Sequence, residues 1–214
     1  MYQIKERDLE KIKALFEYYL HRYDEVSERF KDLKYTEVKY SDVYIDFYPF
    51  QSERISQKAG VFYKKTPKNI ESTITNILIE NKIYYCYNTK NKLWGERFYI
   101  YEEERILYLC YTINHFTDKM ELDMIYSMEF TGSHIDKTYF FGKDRALGSS
   151  CSVYTYEYTD EKITKFYLYE YWFDQKKWLY IGFYKIVYLA QKYSIYFTKI
   201  DEKGNEIEER VYYK

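Results

Sequence analysis

Three histidines, three cysteines and a short serine run are the side chains of this 214-residue chain best suited by type to chemistry. His134 with Asp136, and His115 with Asp118, have the local form of a base and its orienter. Neither pair comes with a nucleophile at a recognisable spacing, and His21 falls inside the helical pattern between seam positions, where it is expected to be exposed. Gly148–Ser152 reads Gly-Ser-Ser-Cys-Ser. A nucleophile elbow needs a strand, a sharp turn and then a helix, whereas this run leads into another strand pattern, so a plain turn is expected. Cys86, Cys110 and Cys151 form no CxxC pair and indicate neither zinc nor a disulfide framework. The apolar runs around Cys86 and Cys110 mark buried, inert thiols in a reducing compartment. Glu102, Glu103 and Glu104 sit at a hairpin tip, where consecutive acids do not converge on an ion as a dedicated calcium loop does. No phosphate loop, dinucleotide fingerprint or HExxH is present. The chain implies no catalytic residues, no metal and no cofactor, and it reads as non-enzymatic.

Aromatic residues are the remaining chemistry. The sequence holds 31 Tyr, 14 Phe and 3 Trp, 22% of all residues. Alternation in a strand puts Tyr154, Tyr156 and Tyr158 on one face, and likewise Tyr167, Tyr169 and Tyr171. Buried phenols each require a hydrogen-bond partner, so many of these hydroxyls are expected at the surface while their rings pack together. A rigid tyrosine-covered face loses little entropy on binding and suits recognition. These six tyrosines are therefore the expected binding residues, against the alternative that they are ordinary cross-strand pairs.

The elements that must position them follow from periodicity. Leu9, Ile12, Phe16, Tyr19, Tyr23, Val26, Phe30 and Leu33 keep a 3-4 spacing, which predicts one amphipathic helix over 6–33, about 40 Å long. Its seam could pair with a second copy as a coiled coil. Rings at four of the eight positions are bulky for that, so a helix laid on its own sheet, in a monomer, is favoured. Short strands are expected within 35–65, including Val43–Phe47 and Gly60–Tyr63, and one or two helical turns over 67–75 behind Thr66-Pro67. From 77 to 213 the chain reads as an antiparallel meander, with strands at 77–80, 83–88, 93–101, 105–114, 121–131, 134–141, 151–159, 163–173, 178–188, 192–200 and 206–213. Gly142–Ser150 reads as a loop. The fold class is α+β, mostly β, a single domain over 1–214: a long N-terminal helix on a tyrosine-rich meander that forms a curved sheet, a sandwich or a barrel.

Charge narrows the partners. The net charge is −1, but residues 52–100 carry nine basic and four acidic residues, and 101–213 carry 14 and 19. Near-neutrality argues against nonspecific DNA binding. Lys58, Lys64, Lys65 and Lys68, beside Phe62 and Tyr63, form the best basic patch for single-stranded RNA, with a lysine-guarded edge strand as the plainer alternative. No run reaches the roughly 18 apolar residues of a membrane helix, and the first residues lack a secretion signal's apolar core. A cytoplasmic protein is expected, of a bacterium or of its host if the gene is phage-borne. By analogy of class alone, the reading is a stoichiometric protein inhibitor of the toxin-immunity or anti-CRISPR kind. It would meet a basic nuclease or effector with its tyrosine face and acidic C-terminal half. A β-barrel for a nucleotide, sugar or lipid, and an RNA module, are the alternatives.

Overall fold

A computed structural model of the chain describes residues 6–31, 33–54, 58–144, 148–189, 192–201 and 203–213. The helical periodicity produces two helices, α1 (Glu6–Tyr19) and α2 (Tyr23–Lys31). The expected single helix is thus broken at residues 20–22, and residue 32 of its last turn lies outside the described residues. No Pro or Gly marks the break. Its cause is tertiary: the Tyr111 hydroxyl donates to the Tyr19 carbonyl at 2.8 Å, and the Leu122 amide donates to the Leu20 carbonyl at 3.1 Å. The sheet thereby satisfies carbonyls that a continuous helix would have used itself. The apolar seam is used as predicted for a helix on its own sheet. Leu9, Ile12, Phe16, Tyr19 and Val26 are buried, with Tyr23 and Phe30 packed beside them.

Twelve strands form one antiparallel sheet in strict chain order. They are β1 (Glu37–Ser41), β2 (Ile74–Ile79), β3 (Lys82–Asn88), β4 (Glu96–Tyr101), β5 (Arg105–Asn114) and β6 (Lys119–Thr131), followed by β7 (His134–Asp144), β8 (Gly148–Thr159), β9 (Lys162–Trp172), β10 (Lys177–Leu189), β11 (Lys192–Ile200) and β12 (Glu206–Tyr213). The sheet is curved and open, with β1 and β12 at its two edges, and neither a sandwich nor a closed barrel. Two of the hairpins turn in two residues with both φ angles positive, Glu80-Asn81 and Asp160-Glu161, the twist that matches flanking strands.

Between Ser41 and Ile74 the expectations fail in an instructive way. Val43–Phe47 alternates like a strand but is irregular, and it leads into a single helical turn, α3 (Gln51–Arg54). Gly60–Tyr63 contributes one bridge, Phe62 to Ser41. Residues 67–73 are not helical, and β2 begins at Ile74. The β-branched Thr73-Ile74-Thr75 run serves the strand, as its stiff side chains favour. Gly142–Asp144 and Gly148–Ser150 are paired strand rather than loop, and 145–147 lie outside the described residues.

Both faces of the sheet are buried in its middle. On one, α1 and α2 cover Leu107, Leu109, Tyr111, Leu122, Ile125, Phe141 and Val153. On the other, Phe47, Tyr48 and Phe50 of the 42–50 segment pack on Tyr108, Tyr126, Tyr154 and Phe166. Tyr48 stacks on Tyr154 with centroids 5.2 Å apart, and Phe50 on Phe166 at 5.8 Å and 2°. The segment holds its shape through its own polar groups. The Phe47 amide donates to Gln51 Oε1 at 2.8 Å, and Ser52 donates to Asp46 through both its amide and its hydroxyl. That side of the sheet is covered by the protein's own rings.

Candidate aromatic interface

The two tyrosine triads point to opposite sides of the sheet. Tyr154 stands opposite Leu168, and Tyr167 opposite Thr155, so the pleat sends 154 and 156 to the 42–50 side and 167 and 169 to the helix side. Tyr154 is 2% exposed and stacked under Tyr48. The Tyr156 hydroxyl donates to Thr138 Oγ1 at 2.9 Å, and the Tyr158 hydroxyl accepts from the Ile135 amide and donates to its carbonyl. These three phenols serve the protein's interior. Tyr167, Tyr169 and Tyr171 lie on the helix-side face, where it runs out from beneath α1 and α2.

There they join residues that the sequence reading did not single out. Tyr169 meets Tyr180 at 5.2 Å, Tyr171 meets Trp178 at 5.4 Å, and Tyr167 meets Phe183 at 6.4 Å. Lys165 lies over the Phe183 ring at 3.9 Å, and Tyr167 donates to Glu157. Towards the β12 edge the tract deepens into a groove of 730 Å³, lined by Phe183, Lys185, Val187, Tyr196, Glu206 and Glu209 among others. Tyr167, Tyr180, Phe183 and Tyr196 are half-buried, whereas Tyr169 is buried. Burial pushes the Tyr180 phenol up to about 12, with Tyr169, Glu206 and Glu157 adding to it. The result is a set of neutral, pre-packed rings flanked by both signs of charge. The sequence carries a signal for β10, since 178, 180 and 183 are aromatic. A β-bulge between Tyr180 and Gly182 shifts their phase, and simple alternation does not register it.

The basic patch is spread over an irregular segment. Lys58, Lys64, Lys65 and Lys68 are all exposed, and Lys58 is paired with Asp42. Arg97 of β4 is turned into the protein. Its guanidinium lies 3.0 Å from the centre of the Tyr44 ring, and Cys86 and Cys110 are its neighbours.

The local pairs suggested for acid–base chemistry do not assemble. His134 is 2.8 Å from Glu161, not paired with Asp136, and packs on Tyr158. His115 is exposed at the β5–β6 turn. Ser149, Ser150 and Ser152 lie along β8, not on an elbow. Cys86, Cys110 and Cys151 are free and buried, and burial pushes the Cys86 thiol up to about 12 and raises Cys110 and Cys151. Such thiols are poor nucleophiles. Among the described residues no group of His, Cys, Asp and Glu could hold a metal ion, and no helix is long and apolar enough to cross a membrane.

Comparison of the chain with known protein families, with curated proteins and with solved structures finds no match.

Proposed function

We propose that the protein is a non-enzymatic, stoichiometric protein-binding inhibitor, of the toxin-immunity or phage anti-defence kind. It engages its partner with the uncovered aromatic tract of β9–β11. One observation carries the reading: the helix-side face continues past α1 and α2 as half-buried rings, Tyr167, Tyr180, Phe183 and Tyr196, with nothing of the described chain laid over them. Aromatic anchors with a charged rim are the usual anatomy of a binding centre. The rim offers Glu157, Glu206 and Glu209 beside Lys165 and Lys185, so a partner with a predominantly basic surface is favoured.

The test is a comparison of wild type with a Tyr180→Glu, Phe183→Glu double variant of unchanged circular dichroism. The wild type is expected to retain one protein from its native host, to reconstitute a one-to-one complex with it, and to suppress that protein's activity. The variant is expected to lose all three. Equal retention by both, or a reconstituted complex without suppression, would overturn the reading.

A further inference from the structure

One buried acid of β4, Glu96, is paired with no cation among the described residues. Glu96 is 6% exposed, and its carboxylate accepts from the Tyr85 phenol at 2.6 Å and from the Tyr23 phenol. Both donors are neutral. Among the described residues, no basic side chain lies within ion-pair distance of Glu96. A buried carboxylate without a cation is costly, and phenols answer only part of that cost. Burial, reinforced by the charge of Glu96, holds both phenols well above the ordinary range.

The carboxylate borders a cavity of 340 Å³ between α2 and β3–β4. Its walls are rings. Tyr85 stacks on Phe98 at 4.9 Å, Phe30 packs on Phe98 at 5.0 Å, and Tyr23 meets Phe98 at 6.3 Å. Ring faces and a carboxylate attract the same ligand, a cation. Two lysines also border the space, but their ammonium groups are engaged elsewhere. Lys31 is bonded to Glu28, and Lys92 lies 4.4 Å over the Tyr87 ring. Asp24 adds a second carboxylate to the lining. An unsubstituted ammonium would surrender strong hydration on entering this wall of rings, whereas an alkylated one surrenders little.

We propose that this cavity binds a trimethylammonium group, carried by a small molecule such as choline or by a methylated lysine side chain. The site stands apart from the β9–β11 tract and does not depend on what that tract binds.

The test titrates the intact protein with choline and with its uncharged analogue, in which carbon replaces the quaternary nitrogen. Tyrosine fluorescence and amide shifts in NMR follow the binding. Choline is expected to saturate one site at millimolar concentration or below, with shifts centred on residues 23–30 and 85–98, and the neutral analogue to bind roughly tenfold more weakly. Glu96→Gln is expected to erase that difference. Phe30→Ala, at a half-buried helix position, is expected to weaken choline by roughly tenfold with the fold intact. Trimethyllysine in place of choline sorts the sources, and tighter binding assigns the side chain. No saturable response to either cation, equal binding of the charged and uncharged probes, or shifts elsewhere would overturn the assignment.

Discussion

The phenol of Tyr139 on β7 donates a 2.9 Å hydrogen bond to the Asp8 carboxylate in the first turn of α1, joining residues 131 apart in the chain. Both are buried, and Lys137 stands 3.8 Å from the same carboxylate oxygen. The acid also sits at the helix end where negative charge is favoured. This contact fixes the start of the helix layer as Tyr111 and Leu122 fix its break. Tyr139→Phe keeps the ring and removes the donor. We expect a loss of about 1.5–3 kcal/mol, seen as a lower urea midpoint with an unchanged slope. A midpoint equal to wild type would show that packing alone anchors α1.

Tyr48 separates ring packing from hydroxyl satisfaction. It is 2% exposed, yet its hydroxyl is buried with no hydrogen-bond partner among the described residues. Tyr48→Phe should be neutral or stabilising, by up to about 1 kcal/mol, whereas Tyr48→Ala should cost about 3–5 kcal/mol. Thermal unfolding of the two variants checks this. A large loss in the Phe variant would mean that the hydroxyl is satisfied after all.

The Asp160-Glu161 turn carries positive φ at both positions, 48° and 62°. Glu pays for that conformation, and glycine does not. Glu161→Gly should raise stability by about 1 kcal/mol, since the exposed pair with His134 returns little. Destabilisation would mean that the pair outweighs the backbone gain.

Alkali should weaken the fold. Burial pushes the Cys86 thiol up to about 12 and holds the Tyr99 and Tyr108 phenols well above their ordinary value. In the unfolded chain thiols ionise near about 8.5 and phenols near about 10. Between those values and the folded ones, the unfolded state has released protons that the folded state keeps, so stability falls as pH rises. The contribution is complete below about pH 8.5 and is then lost by about 1.4 kcal/mol per pH unit for each such group. Urea midpoints measured from about pH 8 to about pH 11 should decline, steepening above about pH 10 as the phenols join. A flat profile would contradict the burial of these groups.

Much of the fold is legible in single residues. From Lys82 to Tyr213 the strands form close to where alternation and polar turns place them, because each hairpin is a local decision with a short connection. The helical seam from Leu9 to Phe30 is equally local. What fails is Val43–Phe47, an alternating run that becomes irregular because Phe47 and Tyr48 pack on one face of a sheet made from strands far downstream. The binding tract is legible in part. Alternation alone puts Tyr167, Tyr169 and Tyr171 on one face, but their separation from Tyr154, Tyr156 and Tyr158 depends on the register of β8 against β9.

The amino-acid pattern alone determined an α+β chain, a meander rich in tyrosine, buried thiols and no recognisable catalytic motif, since periodicity and composition act over a few residues. Tertiary structure decided which rings are covered, where the helix breaks and which charges are stranded. Those outcomes turn on strand pairing between distant residues. Glu96 and Arg97 are adjacent charges in one apolar strand, and only the pleat sends one to the helix-side cavity and the other beneath Tyr44.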